Sequence, residues 1–225
     1  PTFRIDINDY QAGNGGIVIP NPNAPTGIAL ELDAIRQLLE NNCESVVIID
    51  EAYVDFGAES ALSLIADHDN LLVVQTFSKS RSLAGLRLGA AFGHPGLIEA
   101  LQRVKNSFNS YPIDAFTSAS AIASLADDTY FQQCRQQIIA SRERLGVALA
   151  LLGFEVFPSS SNFLLLRHAD HSAESLYLNL KHAGILVRYF NKPRIDNCLR
   201  ITVGSDAECD SLLAALQSML GWKIA

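Results

Sequence analysis

Val46–Asp50 reads Val-Val-Ile-Ile-Asp, and Leu71–Thr76 reads Leu-Leu-Val-Val-Gln-Thr. Neither run alternates apolar with polar residues. Strands of this kind are buried on both faces, as in a parallel sheet covered by helices. Gly15–Pro20 (GGIVIP) reads as a further strand, and Leu86–Phe92 as another. Between the first two strands, Glu31–Asn42 places Leu32, Ile35, Leu38 and Leu39 at helical spacing. Ser60–Asp67 reads as a short helix, and Pro95–Ser107 as one opened by proline in its first turn. Strand–helix–strand order gives an α/β fold with a mostly parallel sheet.

The later chain changes character. Ile113–Leu125 and Thr129–Leu152 read as helices, the second long. Strands at Phe154–Pro158 and Asn162–Arg167 precede a helix at Ala173–Ala183. Strands at Ile185–Tyr189 and Cys198–Val203 follow. A last helix near Asp206–Leu220 is capped by Ser205-Asp206. The expected organisation is a large α/β domain over 1–127, a linking helix over 128–152 and a small C-terminal α+β domain over 153–225.

Composition excludes several classes. Of 225 residues, 48% are hydrophobic, which rules out a disordered chain. Lys and Arg number 17 against 24 Asp and Glu, a net charge of −7. So acidic a chain lacks the basic face that nucleic acid requires. No apolar run approaches the roughly 18–20 residues that span a bilayer, so no membrane is expected. No basic start followed by an apolar stretch marks a signal peptide. Cys43, Cys134, Cys198 and Cys209 lie far apart with no C-x-x-C pair, as free thiols of a cytoplasmic protein do. Pro1 stands in place of an initiator Met, so a processed chain or a piece of a longer one is expected.

In a parallel α/β sheet, ligands bind beyond the carboxyl ends of the strands. Val46–Asp50 ends in Asp50. Leu71–Thr76 runs into Phe77, Ser78 and Lys79. Gly15–Pro20 runs into the stiff loop Asn21–Gly27 (NPNAPTG). A carboxylate, an amine and a polar loop thus meet at one sheet edge. An ionisable group closing an apolar run is costly unless paired or used.

Four segments carry a family resemblance: Asn21–Gly27, Asp50–Tyr53 (DEAY), Thr76–Gly89 (TFSKSRSLAGLRLG) and Cys198–Gly204 (CLRITVG). In order and spacing they resemble the fold-type I pyridoxal-phosphate-dependent aminotransferases, and most of all the histidinol-phosphate group. The resemblance implies that Lys79 forms the Schiff base with the cofactor pyridoxal 5'-phosphate. Its freed amine then moves the substrate proton, a role that suits an amine whose pKa burial and charge have lowered. Asp50 pairs with the pyridine nitrogen. Tyr53 turns its hydroxyl towards the phenolic oxygen of the cofactor. Thr76, Ser78 and Arg87 hold the phosphate. Arg200 grips the substrate carboxylate or phosphate, and Arg188 is a second anion contact.

The implied activity is transamination between L-glutamate and imidazole-acetol phosphate, or a similar amino and oxo acid. The implied assembly is a homodimer. The alternatives are a threonine-phosphate decarboxylase-like enzyme and a truncated, non-catalytic protein of the same fold. Two departures from the family pattern stand out. Ala24 occupies the position where the family has a cofactor-binding Asn, so Asn23 takes over that contact. The chain also lacks the N-terminal third of the family, including the glycine loop of the phosphate cup. The remaining features read as structural. His168 and His171 are solvated rather than metal-binding, Gly13–Gly16 is a turn, and Ser159–Ser161 is a turn. Arg142, Glu143 and Arg144 form a solvated helix face, and Trp222 is a packing anchor.

Overall fold

The computed structural model describes residues 2–221, so Trp222 lies outside them. The apolar runs pair as β1 (Ile17–Pro20), β2 (Val47–Asp50) and β3 (Leu71–Thr76), all parallel. A fourth strand, β4 (Gly89–Gly93), joins β3 antiparallel, giving the order β1-β2-β3-β4. The sheet is therefore mostly parallel with one reversed edge. Helix α1 (Leu32–Asn41) lays Ile35, Leu38 and Leu39 over Ile17, Ile19, Val47, Ile49, Leu71 and Val73. Ala61 and Leu64 seal the same core from a 3-10 turn over Ala61–Leu64, where the sequence suggested a longer α-helix.

Burial on both faces holds only in part. Alternate residues of β1 and β2 face α1, whereas Val18 on the opposite face is 66% exposed. A strand's side-chain period of two makes this division sharp. β4 also begins at Gly89 rather than near Leu86. Residues Ala84–Leu86 form a 3-10 turn, and Arg87 takes a left-handed φ of 54° that ends any extended run before it. Two helices follow, α2 (Pro95–Phe108) and α3 (Ala115–Ala126).

The described residues divide into two compact units. The first holds Arg4–Asn23 and Ala29–Gln133. The second holds residues 2–3, Ala24–Ile28 and residues 134–221. The division falls inside α4 (Asp128–Leu151).

The second unit has its own antiparallel sheet of β5 (Phe154–Val156), β6 (Phe163–His168), β7 (Arg188–Tyr189) and β8 (Leu199–Thr202). Their order is β5-β6-β8-β7. β7 is shorter than the apolar run Ile185–Tyr189 suggested. Helices α5 (Ala173–His182) and α6 (Asp206–Met219) bury Leu176, Leu180, Leu212 and Leu216 against Leu164, Leu166, Leu199 and Ile201. Leu145 and Leu149 of α4 complete that core. Cys198 is buried with Leu165 and Phe157, and burial pushes its thiol above the ordinary range, which keeps it unreactive.

The solvated reading of Arg142 is overturned. Its guanidinium is buried, donating to the Ser161 carbonyl at 2.8 Å and pairing with Glu143. The Ser159–Ser161 segment is accordingly more than a surface turn. Ser160 N–H donates to the carbonyl of Gly27 at 2.8 Å. Gly27 has a φ of 81°, and a side chain there would meet Ser159 Cβ at 2.8 Å, so only glycine fits. Nor are the histidines simply solvated: the His168 ring packs edge-on to Phe154 and to His171.

Helix ends follow their caps. Ser205 and Glu208 form a reciprocal capping box at α6, and Asp114 accepts from Thr117 N–H and hydroxyl at α3. These bonds hold the Glu208 and Asp114 carboxyls below the ordinary range. A depressed folded-state pKa stabilises above the unfolded value and ceases to do so as pH falls through the folded one. Glu208→Gln should therefore melt below wild type at neutral pH, with the gap closing in acid. A gap that persists or widens in acid, read by thermal melting across pH, would contradict the capping role.

Candidate functional site

Parallel pairing sets the site. Asp50 lies opposite Val74 in register, so β2 and β3 end side by side and send their loops out at the same edge. The loop after β2 begins with Asp50 itself. Asp50 Oδ1 accepts from Ala52 N–H at 3.0 Å, which orients the carboxylate while leaving lone pairs for another donor. Tyr53 follows, half-buried, at the start of the 3-10 turn Val54–Phe56.

The loop after β3 carries Ser78 and Lys79. Lys79 is exposed, and its Nζ lies 5.2 Å from the centre of the Tyr53 ring. An ammonium over an aromatic face is attracted by the ring quadrupole. The structure thus brings Lys79 and Tyr53 together from adjacent strand ends. Thr76 Oγ1 accepts from Ser78 N–H at 3.1 Å and lies 3.4 Å from the Leu88 carbonyl, so this hydroxyl also closes the turn. Arg87 is exposed and donates to the Ala84 carbonyl at 3.0 Å. Asn23 is half-buried in the loop after β1. Asn21, two residues earlier, is the structural member of that loop. Its buried amide accepts from Leu30 N–H at 2.7 Å and donates to the Leu30 carbonyl at 3.3 Å.

The second unit places Arg188 and Arg200 directly opposite one another on β7 and β8. Arg200 lies 4.8 Å from the Phe163 ring centre and 5.8 Å from that of Phe190, and Arg188 lies 5.4 Å from the latter. Arg200 Nε is buried without a hydrogen-bond partner among the described residues. Like charges directly opposite destabilise a sheet, and a buried donor left unbonded adds to the cost. A bound anion relieves both.

Glu51 is a residue that the sequence reading passed over. It is 2% exposed, and its carboxylate is fully engaged. Oε2 accepts from Ser60 Oγ at 2.7 Å and from Gln75 Nε2 at 2.8 Å, and Oε1 accepts from Ala61 N–H at 2.6 Å. The bond to Gln75 ties the end of β2 to β3 immediately before the lysine loop. The available signal was a second acid directly after Asp50, where one ligand would have needed only one.

The profile of the family described as aminotransferase class I and II matches residues 1–216. The chain belongs to this family. It is 56% identical over 220 residues to histidinol-phosphate aminotransferase 1 of Bordetella parapertussis, covering 96% of this chain and 62% of that protein. The chain thus spans about 62% of the length of such relatives. Among solved structures, histidinol-phosphate aminotransferase of Sinorhizobium meliloti in complex with pyridoxal-5'-phosphate superposes with a TM-score of 0.82 at 28% identity. That match covers 92% of this chain and 57% of the other. A decarboxylase from Sulfurospirillum multivorans superposes with a TM-score of 0.86 at 26% identity, covering 97% of this chain and 67% of the other.

The donor set fits the cofactor that the aminotransferase family uses, pyridoxal phosphate. An amine, an oriented carboxylate, an aromatic hydroxyl and short hydroxyls stand on loops of one sheet edge. Glu51 underpins that edge, so its loss is measurable. Glu51→Ala should lower stability by about 2–4 kcal/mol, since three donors lose a buried acceptor. Glu51→Gln, which retains one carbonyl acceptor, should cost less. Urea unfolding at the wild-type midpoint for the alanine variant would remove Glu51 from this role.

Proposed function

We propose that this chain carries the lysine and the substrate-anion site of a pyridoxal-phosphate-dependent transaminase acting between L-glutamate and imidazole-acetol phosphate. That is the histidinol-phosphate aminotransferase reaction of histidine biosynthesis. The observation that carries it is the opposed pair Arg188 and Arg200. Two arginines paired in register on neighbouring strands, one with a buried Nε unbonded among the described residues, call for a substrate rich in negative charge. A phosphorylated amino or oxo compound meets that need. The same pair is compatible with a phosphoamino-acid decarboxylase, since one scaffold hosts both reactions. The 56% identity to an aminotransferase favours the first reading.

When bound, pyridoxal phosphate supplies an aldehyde carbon that takes up an amine and a ring that accepts electrons. Asp50 holds a proton at the ring nitrogen, because an ionised carboxylate favours the charged form of its partner. Tyr53 and Asn23 hydrogen-bond the phenolic oxygen. Thr76, Ser78 and Arg87 contact the phosphate, with Arg87 giving the charge-assisted bond. The Lys79 amine would take the proton from the substrate α-carbon and hold it there. Arg200 binds the substrate carboxylate or phosphate, and Arg188 the second anion.

We place the protein in the cytoplasm, in keeping with four unpaired cysteines, one of them exposed. Among the described residues no helix is long and apolar enough to cross a membrane. We also propose a homodimer. Helix α2 buries none of its residues within the chain, and Phe108, Tyr111 and Phe116 are 86%, 81% and 74% exposed, more apolar surface than an isolated chain tolerates.

The test is borohydride reduction of the chain mixed with pyridoxal phosphate, followed by mass spectrometry. A pyridoxyl adduct on Lys79 is expected, and Lys79→Ala should lose both adduct and turnover. An adduct elsewhere, or none, would overturn the assignment. Asp50→Asn should lower kcat by several orders of magnitude, since an amide does not hold the ring proton. Arg200→Ala should chiefly raise KM for glutamate, and an unchanged KM would remove it from the site. Release of amino product rather than carbon dioxide separates the transaminase from the decarboxylase.

A further inference from the structure

The loop that carries Lys79 is held in an unfavourable shape. Ser82 has a φ of 57° and Arg87 a φ of 54°, left-handed values that side-chain-bearing residues adopt only at a cost. Such conformations persist where surrounding contacts over-determine them. Part of that support is backbone, with Ser82 N–H donating to the Lys79 carbonyl and Leu83 N–H to the Phe77 carbonyl, both at 3.0 Å.

The rest comes from the two residues immediately after the lysine. Ser80 Oγ donates a short hydrogen bond to the Asp55 carboxylate. Asp55 lies two residues beyond Tyr53 and five beyond Asp50, on the same turn that follows β2. This bond therefore joins the loop bearing the amine to the loop bearing the carboxylate and the aromatic ring. Arg81 reaches away from the site. Its Nη1 donates to the Ser124 carbonyl at 2.7 Å, in the last turn of α3, and its guanidinium lies 4.0 Å from the Phe131 ring centre. A cation at a helix C-terminus meets the unpaired carbonyls and the negative end of the dipole.

We propose that Ser80 and Arg81 are positioning residues that clamp the lysine loop from two sides. Ser80, through Asp55, sets the separation between Lys79 and the pair Asp50 and Tyr53. Arg81 prevents the loop from sliding along the sheet edge by bolting it to α3. The physical need is clear from the chemistry. An amine that must meet a carbon held by a separate loop loses rate steeply with small displacements. The proposal rests on the reading of Lys79 as the cofactor lysine, but the clamp itself is testable without cofactor.

The experiment compares wild type with Ser80→Ala, Ser80→Thr, Asp55→Ala, Arg81→Ala and the double variant Ser80→Ala/Asp55→Ala, all in the 225-residue chain. Amide hydrogen exchange is measured first, with no cofactor added. Ser80→Ala and Arg81→Ala should speed exchange across 77–83 severalfold and leave β1, β2 and β3 unchanged. Ser80→Thr should behave as wild type, and the double variant should be no worse than either single one. Cofactor is then added, and the visible absorbance of the lysine–cofactor linkage is titrated with pH. The midpoint should shift in Ser80→Ala and return in Ser80→Thr. In turnover, kcat should fall about tenfold with KM within about twofold, as loss of alignment rather than binding predicts.

Wild-type exchange over 77–83 in Ser80→Ala, or additive effects in the double variant, would overturn the clamp. So would an unmoved pH midpoint beside a lowered melting temperature, which marks a merely structural bond. If wild type itself takes no pyridoxyl adduct on Lys79, the cofactor reading fails, and the exchange measurement alone then decides the clamp.

Discussion

Parallel registration of β2 against β3 is the constraint from which the site follows. Because Asp50 sits opposite Val74, both strands run out at one edge, and whatever follows them is forced into proximity. The apolar run before each end is sealed beneath α1, so the register cannot slip without turning Ile49 and Val73 out of the core. Glu51 locks the arrangement from the side. It spends a buried carboxylate on Gln75, Ser60 and Ala61, and no cation is among these partners. Asp50 beside it accepts only one side-chain hydrogen bond among the described residues, from Ala52 N–H.

Sequence reasoning reaches this arrangement because its signals are local and periodic. Continuous apolar runs mark the strands, the Asn-Pro stretch marks the loop, and chemistry falls at the strand ends by topology. What it missed is what depends on distant backbone. Arg142 sits in a run of charges on a long helix, a pattern that ordinarily means solvent. Its partner is the carbonyl of Ser161, which no side-chain pattern advertises. Glu51 was passed over for a similar reason, since two of its donors lie on the turn at Ser60 and Ala61. The start of the Leu86–Phe92 run was misread because hydropathy cannot register the left-handed turn at Arg87. β7 was overextended because Ile185 and Val187 are apolar for core packing rather than for strand pairing.

The second unit shows the opposite economy. Its core of Leu145, Leu149, Leu166, Leu199 and Leu216 is buried, yet two arginines stand in register on the neighbouring strands β7 and β8. Aromatic rings of Phe163 and Phe190 soften the repulsion, since each presents a negative face to a guanidinium. They do not supply the hydrogen bond that Arg200 Nε lacks. An acceptor brought to that donor would meet it, and a charged one would also offset the like charge of Arg188.

Phe3 and Arg194 take left-handed φ values away from the proposed roles, and the remaining costs fall in two places. Left-handed residues at Ser82 and Arg87, opposed cations at Arg188 and Arg200, and an unbonded Nε all lie in loops or strands assigned to the reaction. Other elements follow their local rules: α6 has its capping box, α3 its Asp114 cap and α1 its apolar stripe. Registered arginines and a buried donor without a partner among the described residues give the folded chain nothing in return, and a bound anion is the physical term that would offset them.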